Sequence, residues 1–180
     1  MRGRARVIAI NNSWQLAPWA DVLYACDGVW WERFSGCPAF EGLKLSADNT
    51  ISKRPWGIRS VAVNKNDDRL ELAKLGTVGW SGNSGFQALN IAIQFLCRRI
   101  ILVGFDMSIS AGVHWHGSHP KGMNNPTERN VLRWRLCLDQ AADQLAAIGA
   151  TVINASPTSA LQRYPKMSLM EAFEHHAGDA

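Results

Sequence analysis

No two of the four cysteines in this 180-residue chain, Cys26, Cys37, Cys97 and Cys137, form a CxxC pair. Each lies in or beside an apolar run, so the thiols read as reduced and buried, and a zinc site is not expected. No apolar run approaches the roughly 20 residues of a membrane-spanning helix. Met1–Arg6 has the charge of a signal peptide, but the apolar run behind it stops at Ile10. A cytoplasmic protein with no membrane partner is the expectation. Repeats and low-complexity segments are missing as well. The sequence holds no Gly-Lys-Ser/Thr of a Walker A loop and no G-x-S-x-G of a serine nucleophile. Gly79, Gly82 and Gly85 are spaced by three, which breaks the dinucleotide fingerprint. Charge is nearly balanced: 19 Lys and Arg against 15 Asp and Glu, net +4. The basic residues are scattered, with Arg2, Arg4 and Arg6 at the start and Arg129, Arg133 and Arg135 later. Such a surface suits phosphorylated small molecules, and a dedicated nucleic-acid stripe is the weaker expectation.

What remains is ordinary globular composition, 47% hydrophobic and 19% charged, enough for one domain over residues 1–180. Val7–Ile10 reads as a buried strand ending at Asn11. Asp21–Asp27 reads as a second, and Val29–Phe34 as a helix or turn in which one of Trp30 and Trp31 packs inward while the other covers a neighbour or a ligand. Short strands are expected near Leu43–Leu45 and Ser60–Val63. Asn64–Arg69 is expected to be exposed, and Leu70–Leu75 to be a short helix or strand.

The stretch Gly79-Trp80-Ser81-Gly82-Asn83-Ser84-Gly85 then runs into a helix carrying Phe86, Leu89, Ile93 and Leu96 on one side, with Asn83 or Ser84 as its cap. The apolar run Ile100–Phe105 reads as a central parallel strand delivering Asp106. A long loop over residues 107–126 contains three of the five histidines, His114, His116 and His119. A helix capped by Asn125 or Thr127 runs to Ile148. A strand, Thr151–Asn154, and a short helix, Leu169–His175, complete the chain. This alternation argues an α/β domain with a mostly parallel sheet. Asn11, Asp27, Asp106 and Asn154 then fall at strand ends on one edge, where open α/β sheets bind ligands.

Two features of this pattern carry chemistry. The Ser81–Gly85 turn precedes a helix, where free amides and the positive dipole end suit a phosphate; the alternative is a tight connection needing glycine for its backbone alone. The histidine loop could supply a general acid or base, or hold a metal with Asp106; proton transfer or phosphate contact is the preferred reading, and the alternative is an ordinary exposed loop. Trp80 and Trp115 flank these features, to stack on a base or to pack in the core.

Gly82-Asn83-Ser84-Gly85-Phe86-Gln87-Ala88-Leu89, Ile100–Asp106, and Asn154-Ala155-Ser156-Pro157 with Ser159-Ala160-Leu161 together resemble the signature of a Rossmann-like superfamily. It includes the 6-hydroxymethylpterin pyrophosphokinase (MptE-like) and motility-associated glycosyltransferase-like proteins, with Campylobacter-type sialyltransferases as distant members. Bacteriophage proteins sharing the His-Trp-His-Gly-x-His-Pro loop are the nearest in pattern, and the likeness covers most of the chain. The resemblance implies a Rossmann-like three-layer sandwich and a nucleotide in its cleft, a CMP-sugar or ATP, with Mg2+ as a candidate ion. It places Asn11, Gly82, Asn83, Ser84, Gly85, Asn154 and Ser156 at the nucleotide, and His114, His116, His119 and Asp106 at the chemistry. It implies a host-cell cytoplasmic location for a phage-encoded chain, and a homo-oligomer as a candidate assembly. Two departures stand out. Met107-Ser108 stands where the sialyltransferases carry a tyrosine, and the first strand and glycine-rich turn of relatives are expected to be missing ahead of Val7. The resulting expectation is a glycosyltransferase-like or pyrophosphokinase-like enzyme, against a non-catalytic nucleotide- or nucleic-acid-binding phage protein.

Overall fold

Short β-branched runs become strands at their expected places. The computed structural model describes residues 2–110, 117 and 125–177. Strands β1 (Ile8–Ile10), β2 (Val22–Ala25), β3 (Leu43–Ser46) and β4 (Ile58–Ser60) form one parallel sheet in that order. Ile8 pairs with Val22, Val22 with Leu43, and Lys44 with Ile58. One residue later, β5 (Ala62–Asn64) pairs in parallel with β6 (Thr77–Gly79). The Val61 amide donates to the Ser46 carbonyl at 2.8 Å, and the Ala62 amide to the Gly76 carbonyl at 2.9 Å. The extended segment Ile58–Asn64 therefore ladders with β3 in its first half and with β6 in its second. The single strand expected near Ser60–Val63 is these two. β6 was not anticipated, because three residues are too short to display a period. Strands β7 (Arg99–Leu102) and β8 (Thr151–Asn154) make a third parallel pair. With helices α1 (Gly28–Arg33), α2 (Ser84–Gln94), α3 (Glu128–Ala147) and α4 (Leu169–Ala177), the fold is α/β with parallel sheets.

Alternation along β2 sorts its side chains onto two faces. Val22 and Tyr24 join Leu45, Val61 and Val78 beneath Ala88 and Ile91 of α2. Leu23 and Ala25 join Phe40, Ile51 and Ile58 against Trp30 and Trp31 of α1. Both tryptophans are buried, with rings edge to face at 5.0 Å. Trp30 Nε1 donates to Asn12 Oδ1 at 2.7 Å and Trp31 Nε1 to the Ala25 carbonyl at 3.0 Å. Neither ring is left over for a ligand, contrary to one alternative of the sequence reading.

Helix α2 lies at the junction. Every residue from Ser84 to Ile93 is buried. Its Phe86, Leu89 and Ile93 pack with Leu102, Leu138, Leu145 and Val152, the cluster that joins α2, α3 and the β7–β8 pair. A helix with apolar contacts on more than one side belongs in the interior. Helix α3 begins as expected, with the Thr127 hydroxyl accepting from the Asn130 amide at 3.2 Å. Strand β7 stops at Leu102, short of the expected Phe105, where Val103 turns outward and Gly104 takes φ +74°. Among the described residues no helix is long and apolar enough to cross a membrane.

Candidate functional site

The turn into α2 is built from backbone that most residues avoid. Ser81 has φ +42° and Gly82 φ +71°. Asn83 follows in extended conformation, and its Oδ1 accepts from the Phe86 amide at 3.0 Å, so it is the N-cap. The Gln87 amide bonds to the Asn83 carbonyl at 3.1 Å. That leaves the Ser84 and Gly85 amides, the first two of the helix, with no recorded hydrogen bond among the described residues. The Ser84 hydroxyl accepts from the Cys26 amide at 3.2 Å and lies 3.1 Å from Cys26 Sγ. Burial, reinforced by Asp27, pushes the Cys26 thiol up to about 12, so it is no nucleophile at neutral pH. A Cβ on Gly85 would sit 2.9 Å from Phe105 Cε1 and 2.8 Å from Asn83 Oδ1. Only glycine lets the first turn of α2 meet the chain beyond β7 so closely.

A row of amide side chains holds the approach to this turn. Gln87, Asn90 and Gln94 lie one helical turn apart on α2. Gln87 accepts from the Tyr24 hydroxyl at 2.7 Å and donates to the Trp80 carbonyl at 2.9 Å. Asn90 Oδ1 accepts from Glu71 N at 2.8 Å and Gly79 N at 3.0 Å, while Nδ2 donates to the Glu71 carbonyl at 2.9 Å. Gln94 accepts from Gly76 N at 2.9 Å and donates to the Thr77 carbonyl at 2.6 Å. Leu70 N and its carbonyl bond to Gln144 of α3, at 2.9 and 3.1 Å. Leu70–Leu75 is thus neither helix nor strand; side-chain amides replace a ladder in satisfying its backbone.

The turn is also clamped from α3. Asp68 Oδ1 accepts from the Ser81 amide at 2.9 Å, and the same carboxylate binds Arg133. Asp68 is therefore half-buried, unlike most of the exposed run expected at Asn64–Arg69. The Arg133 guanidinium lies over the Trp80 ring, 4.1 Å from its centroid. Trp80 is thus stacked on a cation, not packed in the core. Ser81 Oγ is buried with no hydrogen-bond partner among the described residues.

Beyond β7 the chain is laced to the segment after β8. The Ser156 hydroxyl accepts from Phe105 N at 2.9 Å, and the Ser159 hydroxyl donates to the Phe105 carbonyl at 2.5 Å. Asn154 Oδ1 accepts from Ser156 N at 3.0 Å, while Asn154 Nδ2, fully buried, has no partner. Asp106 is exposed and accepts from the Thr158 hydroxyl at 3.2 Å. Asn83, Ser84 and Gly85 are thereby joined through Phe105 to Asp106, and through it to Asn154 and Ser156. Asn11 follows β1, whose Ile10 packs against two of the core clusters that α2 bridges. Asp27, at the start of α1, makes no capping bond with its side chain and lies beside Cys26, which meets Ser84.

Three non-glycine residues that follow strands have left-handed backbone: Asn11 (φ +48°) after β1, Ser81 (φ +42°) after β6 and Met107 (φ +49°) past β7. Strain of this kind costs about 1–3 kcal/mol per residue and gathers at ligand sites. Met107 also packs on the cluster of α2, α3 and β7–β8.

His114, His116, His119 and Trp115 lie outside the described residues. Among the described residues no group of three or more His, Cys, Asp or Glu could hold a metal. The sequence reading missed Asp68, Arg133, Asn90 and Gln94. The stripe Gln87, Asn90, Gln94 on an otherwise apolar helix was a visible signal for two of them. No short pattern joins Asp68 to Arg133. No protein-family model matches the chain, and neither a curated protein nor a solved structure does.

Proposed function

We propose that the chain is a Rossmann-like, nucleotide-dependent transferase of glycosyltransferase-like or pyrophosphokinase-like type. The observation that carries this reading is the start of α2, where two helix amides without recorded partners follow the strained turn and adjoin the chain end of β7. In this reading the amides of Ser84 and Gly85 receive a phosphate of a nucleotide-sugar or ATP, aided by the helix dipole. Asn11 offers a polar contact to the rest of the nucleotide, and Asn154, fully buried, and Ser156 shape the wall beside it through Phe105. Exposed Asp106 orients an acceptor hydroxyl or a Mg2+ ion, and one of His114, His116 and His119 moves the proton. The resemblance of Gly82–Leu89 and of Asn154–Leu161 to the superfamily signature supports the same assignment, as does its phage branch for a cytoplasmic setting.

A second reading has its own support. The side chains of Asn83, Ser84 and Ser156 are committed to the protein's own backbone, as in a binding module that performs no chemistry. A thermal-shift panel of CMP, CDP, ATP and nucleotide sugars, with and without Mg2+, separates the outcomes. Stabilisation by one of them, followed by turnover of it that is lost on replacing a loop histidine, establishes the transferase. Stabilisation without turnover establishes the binding module, and no stabilisation by any of them removes both.

A further inference from the structure

The first strands also have an opposite edge, and it holds a concavity. Arg6 precedes β1 and Asp21 precedes β2, so both sit at the N-terminal ends of strands whose other ends carry Asn11 and Cys26. A cavity of about 630 Å3 opens there, lined by Arg2, Arg4, Arg6, Trp19 and Asp21. That volume lies within the range of small-ligand sites. Asp21 is already engaged: its Oδ1 accepts from Arg6 Nη1 at 2.7 Å and its Oδ2 from the Val7 amide at 2.8 Å. No carboxylate pairs with Arg2 or Arg4 among the described residues. Arg4 is held instead over the Phe173 ring of α4, 5.3 Å from its centroid. Trp19, half-buried, supplies an aromatic wall. Guanidinium forks match the paired oxygens of a phosphate, and an indole accepts a flat ring by stacking.

We propose that this cavity binds a nucleotide unit, with its phosphate on Arg2 and Arg4 and its base against Trp19. The unit is either a free nucleotide or part of a single strand, and the recognising chemistry is the same. The site is independent of the α2 edge and does not rest on the transferase reading.

Thymidine monophosphate, followed by calorimetry, and fluorescein-labelled oligothymidylate, followed by anisotropy, serve as probes. Binding of the monophosphate assigns a free nucleotide; binding of the oligomer alone assigns a strand. The double variant Arg2→Gln/Arg4→Gln is expected to weaken whichever probe binds by roughly 10-fold or more, with an unchanged melting temperature. For the oligomer, log K against log salt should have a slope of about −1.4 in the parent protein, for two phosphates neutralised, and approach zero in the double variant. Trp19→Ala should weaken binding by roughly 10-fold and Trp19→Phe should restore most of it. Equal affinity in the parent and the double variant, or no binding of either probe, overturns the proposal.

Discussion

Arg133 Nη2 reaches both carboxylate oxygens of Asp68, at 2.8 and 2.9 Å, while the same guanidinium covers the face of Trp80. The pair ties α3 to the loop ahead of β6, and Asp68 passes the restraint to the Ser81 amide. Both side chains are more than one-third exposed, so solvent weakens the ion pair. Arg133→Ala should cost about 1 kcal/mol, summing a screened pair and an exposed cation–π contact. Lysine should recover less than half, since it provides neither fork nor plane. Urea unfolding measures both.

Asn83 separates capping from anion binding. Asn83→Ala removes the acceptor for the Phe86 amide and should destabilise by about 1 kcal/mol. Asn83→Asp keeps the cap and adds a favourable charge–dipole term of a few tenths of a kcal/mol. It also places a negative charge where a phosphate would bind. Preserved melting temperature with at least 10-fold weaker nucleotide binding is the expected outcome. Unchanged affinity would count against a phosphate at α2.

Asn90→Ala would strand two backbone groups, the amides of Glu71 and Gly79, while the Glu71 carbonyl keeps its bond from Gln94 Nε2 at 3.1 Å. Unpaired groups of this kind cost about 1–3 kcal/mol each when buried, less where water reaches them. A loss of about 3 kcal/mol is expected, with faster amide exchange over residues 70–79. Asn90→Asp should recover the two accepted bonds and lose the donated one. Chemical denaturation and hydrogen exchange report the two effects separately.

Asp21 should give an acid-sensitive contribution. Its hydrogen bond from Arg6, then that from the Val7 amide, holds its carboxyl below the ordinary range. A carboxylate lowered in the folded state stabilises above its unfolded value near 3.9 and loses that contribution as pH falls through the folded value. Asp21→Asn should therefore melt earlier than the parent protein at neutral pH, and the gap should narrow as the pH falls below the unfolded value and through the lowered folded one. A gap that is constant across this range would show that the charge is not responsible.

Three thiols should be silent in the native protein. Burial pushes Cys26 up to about 12 and Cys37 and Cys137 up to about 11. Iodoacetamide at neutral pH should modify these three only after unfolding in guanidinium chloride, as peptide mass mapping would reveal. Rapid native labelling of Cys26 would mean that the Ser84–Cys26 contact opens readily.

The elements legible in the sequence were those with a local cause. Asn83 or Ser84 before an apolar helix marked α2, Asn125 or Thr127 marked the start of α3, and apolar runs marked β1, β2 and β8. The failures have a tertiary cause. Leu70–Leu75 has helix-forming residues, yet Asn90, Gln94 and Gln144 take its backbone bonds from a distance. Thr77–Gly79 becomes a strand because Ala62–Asn64 lies beside it, and because the Arg69 carbonyl approaches Gly79 where any side chain would begin. At the candidate site, residue types announced a polar edge. They did not announce that the Ser84 and Ser156 hydroxyls take backbone amides of Cys26 and Phe105 to build it, nor that Asp68 and Arg133 would hold the turn.

Every ladder among the described residues is parallel, and this bears on how the chain acquires its shape. A parallel pair cannot be closed by a hairpin, so each needs a crossover before its first bond can form. Ile8 waits for Val22, and Arg99 waits for Thr151 with all of α3 between them. Contacts so distant along the chain carry a loop-closure cost that delays folding. Until α3 docks, β7 emerges from synthesis as an apolar edge with no mate, the stage at which partner-free strands adhere to one another.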